Sequence, residues 1–445
     1  MSLPETSVKP VASWLPERVQ AWLRVCWRWL PKNKTGSMYV SSSLLMTFVN
    51  LVTGLVIIRF LSPTEMGLWN SAKLGVTYSF FALAGVLNGF GRELPFSLGK
   101  EDHEGASKLA STAAFCVDVA SILCFLGGCV VAAMFWEAGP DRLLAVVGVS
   151  AVIVLNFQRC YYLATFRSSR AFSRLAINQY MEAGLQLVSV PLVVWFGYEG
   201  MIGRVILVAF LVLLVLRHWR PMRVPSRFDR ASFVRLLKTG FPIFALDYVR
   251  SICSTVDRLV LLALGGVTAV GLYTLAVVAA EVMGALPQSF GQYLSPRMTF
   301  DYGKTGDPLV LWNRIIRGSL LAAAACAGAA LAGSWLLRPT VEWLAPQYID
   351  GIVAAKVMLW CGVPQALALP ASALWAMKRW RLMTLYQLSG SALMALTPML
   401  FIGRIDNMLL AVAWGVFVGS MLRAVLALVV AYRGTHATPI AATAQ

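Results

Sequence analysis

Apolar runs of about twenty residues recur along this chain, separated by short polar loops. A run of that length, wound as helix, matches the hydrocarbon thickness of a bilayer. At that depth backbone N–H and C=O groups must be satisfied within the segment, so helices are the form such runs take. Composition decides between membrane spans and a buried soluble core. Of 445 residues, 58% are hydrophobic and 13% are charged, where a soluble domain carries about 25% charged residues. The chain therefore reads as an all-α polytopic membrane protein. Spans are predicted near 37–61, 65–91, 106–136, 142–165, 175–197, 200–216, 240–264, 268–295, 311–336, 351–376, 381–402 and 407–431, about twelve transmembrane helices in all.

The formal net charge of +17 suggests nucleic acid at first sight. Its distribution excludes that partner, because the cations collect in loops on one predicted side of the membrane. Arg167, Arg170 and Arg174, then Arg217 through Lys238, then Lys378, Arg379 and Arg381 fall there, while the loops near 62–64, 197–199 and 265–267 have no Lys or Arg. By the positive-inside rule both termini are expected in the cytoplasm. Before the first span, Trp14, Trp22, Trp27 and Trp29 interleave with Arg18, Arg24 and Arg28, which suits a helix lying on anionic lipid.

The stretch Asn50 to Trp69, NLVTGLVIIRFLSPTEMGLW, reads as the end of one span, a tight turn and the start of the next. Ser62 and Glu65 have capping-box spacing, and Pro63 stands where a first helical residue needs no N–H. The same theme returns 204 residues later. Gly36 falls on Gly240, Gly67 on Gly271, Leu68 on Leu272, Trp69 on Tyr273, Ala72 on Ala276, and Gly99-Lys100 on Gly303-Lys304. Two six-helix pseudo-symmetric bundles follow, both starting on one side and so related by an axis along the membrane normal. The expected divisions are a cytoplasmic amphipathic tail at 1–36, a first bundle at 37–216, a basic linker at 217–239, a second bundle at 240–432 and a disordered tail at 433–445.

No G-x-S-x-G, no P-loop and no soluble carboxylate pair occurs, so no enzyme chemistry and no cofactor is expected. The eight cysteines are scattered without a C-x-x-C, and the three histidines sit in loops or the tail, so no metal site is expected. What stands out is ionisable residues at membrane depth, which are costly and need a reason. On the seventh span Asp247, Arg250, Ser251, Ser254, Asp257 and Arg258 fall on one broad helical face. The eighth offers Glu281, Gly284, Gln288 and Gln292, the second Lys73, Thr77 and Asn88, and the fifth Asn178, Glu182, Gln186 and Ser189. Asp118 stands in the third, and Gly415, Gly419 and Arg423 follow at four-residue spacing in the twelfth. Mutual neutralisation, as of Asp247 by Arg250, competes with a cavity wall for each residue. Arg59, Arg159 and Arg204, near span ends, are also explained by snorkelling. Collectively, several helices each with one polar face imply a hydrated central cavity. The candidate substrate-binding residues are Lys73, Asn88, Arg250, Ser254, Arg258, Gln288 and Arg423. Asp118, Asp257 and Glu281 are candidates to couple transport to H⁺ or Na⁺.

The segment NLVTGLVIIRFLSPTEMGLWNSAKL is similar to the opening hairpin of bacterial polysaccharide-export and O-antigen-type flippases. These belong to the multidrug/oligosaccharidyl-lipid/polysaccharide exporter superfamily. Their turn after the first helix is carried here by Arg59, Leu61, Pro63 and Gly67, and the second copy by LALGGVTAVGLYTLAVV from Leu262. The resemblance, over about 37–432, implies a V-shaped pair of bundles. These would move undecaprenyl-pyrophosphate-linked oligosaccharide between leaflets for surface polysaccharide synthesis, of the lipopolysaccharide or exopolysaccharide type. Other polysaccharide-assembly membrane proteins would be partners. The family's motifs fix no binding residue. A multidrug or cation antiporter of the same superfamily is the alternative, and would favour an anionic cavity. A membrane glycosyltransferase or ligase would need a large outer loop, and the longest here, about Leu337 to Gly351, is short.

Overall fold

The computed structural model describes residues 34–134, 139–305, 308–377 and 379–436. The expected interfacial helix at 14–30 and most of the C-terminal tail lie outside them. Among the described residues the chain is helical throughout, with no strand element. Its helices are α1 (Lys34–Phe60), α2 (Pro63–Ser79), α3 (Val86–Gly99), α4 (His103–Met134), α5 (Pro140–Ser168), α6 (Phe172–Val188), α7 (Val190–His218) and α8 (Arg230–Cys253). They continue with α9 (Val256–Leu272), α10 (Thr274–Thr305), α11 (Pro308–Leu344), α12 (Ile352–Leu359), α13 (Gly362–Leu367), α14 (Ser372–Ala376), α15 (Trp380–Phe401) and α16 (Met408–His436).

Eight of these stretches are long and apolar enough to cross a bilayer alone, and a ninth is the pair α2 and α3, bent by 58°. The remaining passes are hidden by where helices break. Gly197 (φ 54°) ends the fifth pass inside α7, and Gly266 (φ 73°) ends the seventh inside α9. Both take a left-handed backbone that glycine adopts without steric cost. With α6 and the start of α7, α10 with the end of α9, and α15 counted, the twelve passes of the sequence reading are all found. The tenth pass is a chain of short pieces, Pro346–Leu374, interrupted near Pro364 and Pro370, where proline removes helix donors.

The seventh pass departs from its sequence reading. Its polar face is interrupted for two residues, where the helix stops at Cys253 and restarts at Val256. Thr255 at the break bonds the Tyr78 hydroxyl at 2.8 Å, and Tyr248 donates to the Tyr78 carbonyl at 3.0 Å. The second pass also breaks, at Ala84 and Gly85. At the far end of the chain α16 continues to His436, past the predicted end at 431.

Each half has its own core. Phe90, Phe157, Phe166 and Leu109 anchor the first, and Tyr273, Tyr348 and Ala354 the second. The outward surface is apolar, with Trp335, Leu321, Val188 and Leu123 exposed, as a lipid-facing surface requires.

The opening hairpin forms as its residues dictate. The Ser62 hydroxyl accepts from the Glu65 N–H at 3.3 Å, and the Glu65 carboxylate accepts from the Ser62 N–H at 2.8 Å. This end of the molecule, here the hairpin end, is where the halves meet reciprocally. A Cβ on Gly67 would strike the Val267 carbonyl, and one on Gly271 would strike the Pro63 carbonyl. Pro63 and Val267, like Gly67 and Gly271, are 204 residues apart. Thr64 and Thr268 share a hydrogen bond of 3.2 Å, and Asn70 donates to Thr274 at 2.8 Å, again across 204 residues. Residues equivalent in the repeat thus touch one another across a local two-fold axis.

Candidate functional site

Behind that seal each half holds a chamber. The second-half chamber is about 550 Å³ and draws its wall from the seventh, eighth, tenth, eleventh and twelfth passes. Six of the ten candidate residues line it: Ser254, Asp257, Arg258, Glu281, Gln288 and Arg423. Lys73 lines the first-half chamber instead, about 320 Å³ in volume. It lies within electrostatic range of Glu281 and Arg258, which line the other chamber.

The other three candidates stand apart. Arg250 lines a side pocket of about 140 Å³ that also reaches Arg423 and Ser254, and its guanidinium is 3.7 Å from Asp247, with both side chains half exposed. Asn88, half-buried on α3, lines neither chamber. Asp118 faces a third cavity with Arg217 and Arg220. Its two oxygens accept from Gln158 and from Ser226, each at 2.7 Å. Ser226 belongs to the extended strap 219–229 that joins the halves, which is pinned to α4 also by Ser111 and Thr112. The strap ends at Asp229, which caps α8. Hydrogen bonds from Ser232 hold the Asp229 carboxyl below the ordinary carboxylate range.

In the second chamber, Asp257 is buried with Arg258 4.0 Å away and the Tyr273 hydroxyl in reach. The cation beside Asp257 is thus its own sequence neighbour. Arg423 lies across Gly390, where a Cβ would meet its side chain at 3.0 Å. Its guanidinium sits over the Tyr386 ring at 5.5 Å and donates to Gln387 at 3.3 Å. Two acids, Asp257 and Glu281, match two bases, Arg258 and Arg423, in this lining.

The first chamber holds residues that the snorkelling reading left outside any site. Arg159 is not at a headgroup; it donates two bonds to Glu182, at 2.8 and 2.7 Å. Arg204 is 6% exposed, lines the chamber and donates to the Gln186 carbonyl at 3.0 Å. Gln186 and Gly390, on which Arg423 lies, both belong to the pass that precedes the arginine's own. Arg204 follows Gly200, as Arg423 follows Gly419, by four residues. That shared G-x-x-x-R was the sequence signal for this pair.

At the opposite end, called the linker end, the halves join chiefly through α8. Glu93 accepts from Arg235 at 2.6 Å and from Thr239 at 2.9 Å. Gly85, Gly89 and Gly240 let α3 and α8 approach backbone to backbone.

No family model and no curated protein matches the chain. Solved structures do. An inward-facing multidrug resistance MATE family transporter of the MOP superfamily aligns with TM-score 0.70 and 17% identity, covering 89% of this chain and 97% of that one. An outward-facing MATE transporter aligns with TM-score 0.59 at 16% identity, over 91% and 96%. A MOP superfamily transporter from Pyrococcus furiosus, described as having a binding pocket of reversed polarity, gives 0.63 at 15%, over 91% and 96%. The fold is therefore that of the MATE transporters, an all-α polytopic bundle pair. Agreement is better with the inward-facing than with the outward-facing form.

Proposed function

We propose that the chain is an alternating-access membrane transporter whose cargo is amphipathic with an anionic head. Lipid-linked oligosaccharide on undecaprenyl pyrophosphate is the favoured cargo class, and export from the cytoplasmic leaflet the favoured direction. The observation that carries transport is the reciprocal contact of Gly67 with Val267 and of Gly271 with Pro63. It closes one end of two related halves while polar chambers lie behind it. Rocking one half against the other about those chambers would exchange the open end. The charge bias of the loops supports a cytoplasmic linker end, hence an inward-facing arrangement in an inner membrane. Lys73, Arg204, Arg258 and Arg423 at depth supply donors for phosphate oxygens, and Ser254, Gln288, Gln365 and Ser420 for sugar hydroxyls. Asp257 or Glu281 would supply an H⁺ or Na⁺ site.

A multidrug or cation antiporter is the second reading. The solved neighbours favour it, since they include multidrug resistance transporters, and Asp257 with Glu281 would be its acid centre. Proteoliposomes separate the two. Movement of a polyprenyl-pyrophosphate oligosaccharide to the opposite leaflet, with no proton-driven efflux of an organic cation such as ethidium, is expected. Cation efflux without lipid movement would reverse the assignment.

A further inference from the structure

The first-half chamber carries a charge that its own wall does not neutralise. Its lining holds Lys73, Arg159 and Arg204 against a single acid, Glu182. Glu182 is fully engaged by the two bonds from Arg159. Lys73 has an acid on the opposing wall, in Glu281. Arg204 has none. One of its Nη atoms meets the Gln186 carbonyl, and its Nε is buried without a partner. Val152, Leu155, Val205 and Val208 line the same chamber, and a buried guanidinium with no acid partner there calls for a counter-anion.

The other half shows that this is not simply what the scaffold requires. Arg423 occupies the equivalent place, also with a partnerless Nε, but its chamber contains as many acids as bases and it rests on Tyr386. On the fifth pass the acid that faces this chamber, Glu182, is already taken by Arg159. The first chamber has the same arginine and lacks both the balancing acid and the aromatic seat.

We propose that the first-half chamber is an oxyanion-binding subsite. Arg204 is its anchor through the free Nε edge, and Lys73, at the boundary with the other chamber, its second cation. The ligand class is a phosphate, diphosphate or carboxylate group, borne by a lipid head or free in solution. The subsite deepens the anionic-cargo reading and rests on it for what delivers the oxyanion.

The test uses the full chain in nanodiscs of neutral lipid, with thermal unfolding followed against inorganic pyrophosphate at constant ionic strength. Pyrophosphate is expected to raise the unfolding temperature of the parent, because it binds the folded state alone. Arg204→Gln is expected to abolish the rise, and Arg217→Gln, on the same helix outside the chamber, to keep it. A full response in Arg204→Gln overturns the subsite, and so does a parent that does not respond, whose Nε is then only hydrated. Should Arg204→Gln not fold, Lys73→Gln decides: a response reduced by at least half supports the subsite, and an unchanged one overturns it. A polyprenyl phosphate added to the same nanodiscs identifies the source. Tighter binding than inorganic phosphate points to a lipid head, and equal binding to a free anion. An Arg204-dependent pyrophosphate response in a protein that moves no lipid-linked cargo would remove the cargo reading and leave the subsite. Parental transport of such cargo by Arg204→Gln would do the reverse.

Discussion

Glu182 on the fifth pass and Tyr386 on the eleventh each hold an arginine of their half, and the chambers around them differ in kind. In the first half the acid at that position locks Arg159 in a two-bonded, largely buried pair, with the Glu182 side chain 6% exposed. In the second half the tyrosine supports Arg423 through its ring, and the nearby pair of Asp247 and Arg250 is half exposed. The first chamber is smaller and carries an excess of cations. The second is larger and charge-balanced, with amide and hydroxyl side chains. One repeat has thus been divided into a wall fitted to fix a charged group and a wall fitted to adapt to a polar, uncharged one.

The comparison breaks most readily at Glu182. Glu182→Leu leaves Arg159 buried and unpaired, and removing one partner of such a pair costs about 3–5 kcal/mol. A marked fall in the unfolding temperature in detergent is expected, largely reversed by the double variant Glu182→Leu with Arg159→Met. Were the single variant as stable as the parent, the first chamber would not be built on this pair.

Gly271 comes next. A leucine there must push against the Pro63 carbonyl, and overpacking of this kind costs about 1–3 kcal/mol. The expected result is a hairpin end driven open, read as faster labelling of a cysteine at position 64. Gly328→Ala, with open space around the glycine, should change nothing.

The smallest effect is expected at Asp247 and Arg250. Exposed pairs of this type contribute about 0–1 kcal/mol, so the charge swap Asp247→Arg with Arg250→Asp should leave stability unchanged within error. A large loss on denaturation would mean that the second half, too, depends on a fixed ion pair.

Much of the fold was legible because it is written locally. Ser62, Pro63 and Glu65 specify a helix start, and the 204-residue offset points to glycines whose partners are their own repeat equivalents. The break between Cys253 and Val256 was not legible. A helical wheel drawn over Asp247 to Arg258 assumes continuity, and the residues that end the helix, Ser254 and Thr255, are ordinary in a span. Tertiary bonds to Tyr78 make the break. Arg159 and Arg204 were misplaced for a different reason. A long cationic side chain near a span end satisfies itself at a headgroup or at a partner on the neighbouring helix, and linear sequence does not distinguish them. Only the matched Gly200–Arg204 and Gly419–Arg423 spacing hinted at a paired role.

Closure of the hairpin end by the two halves, and its reversal during transport, is most directly tested by a cross-link. Thr64 and Thr268, whose hydroxyls are 3.2 Å apart, would be replaced by cysteine in a background with the eight native cysteines removed. The disulfide is expected to form readily, to stop transport of the lipid-linked cargo in proteoliposomes while closed, and to release it on reduction. Transport at the parental rate by the fully cross-linked protein would contradict alternating access through this seal.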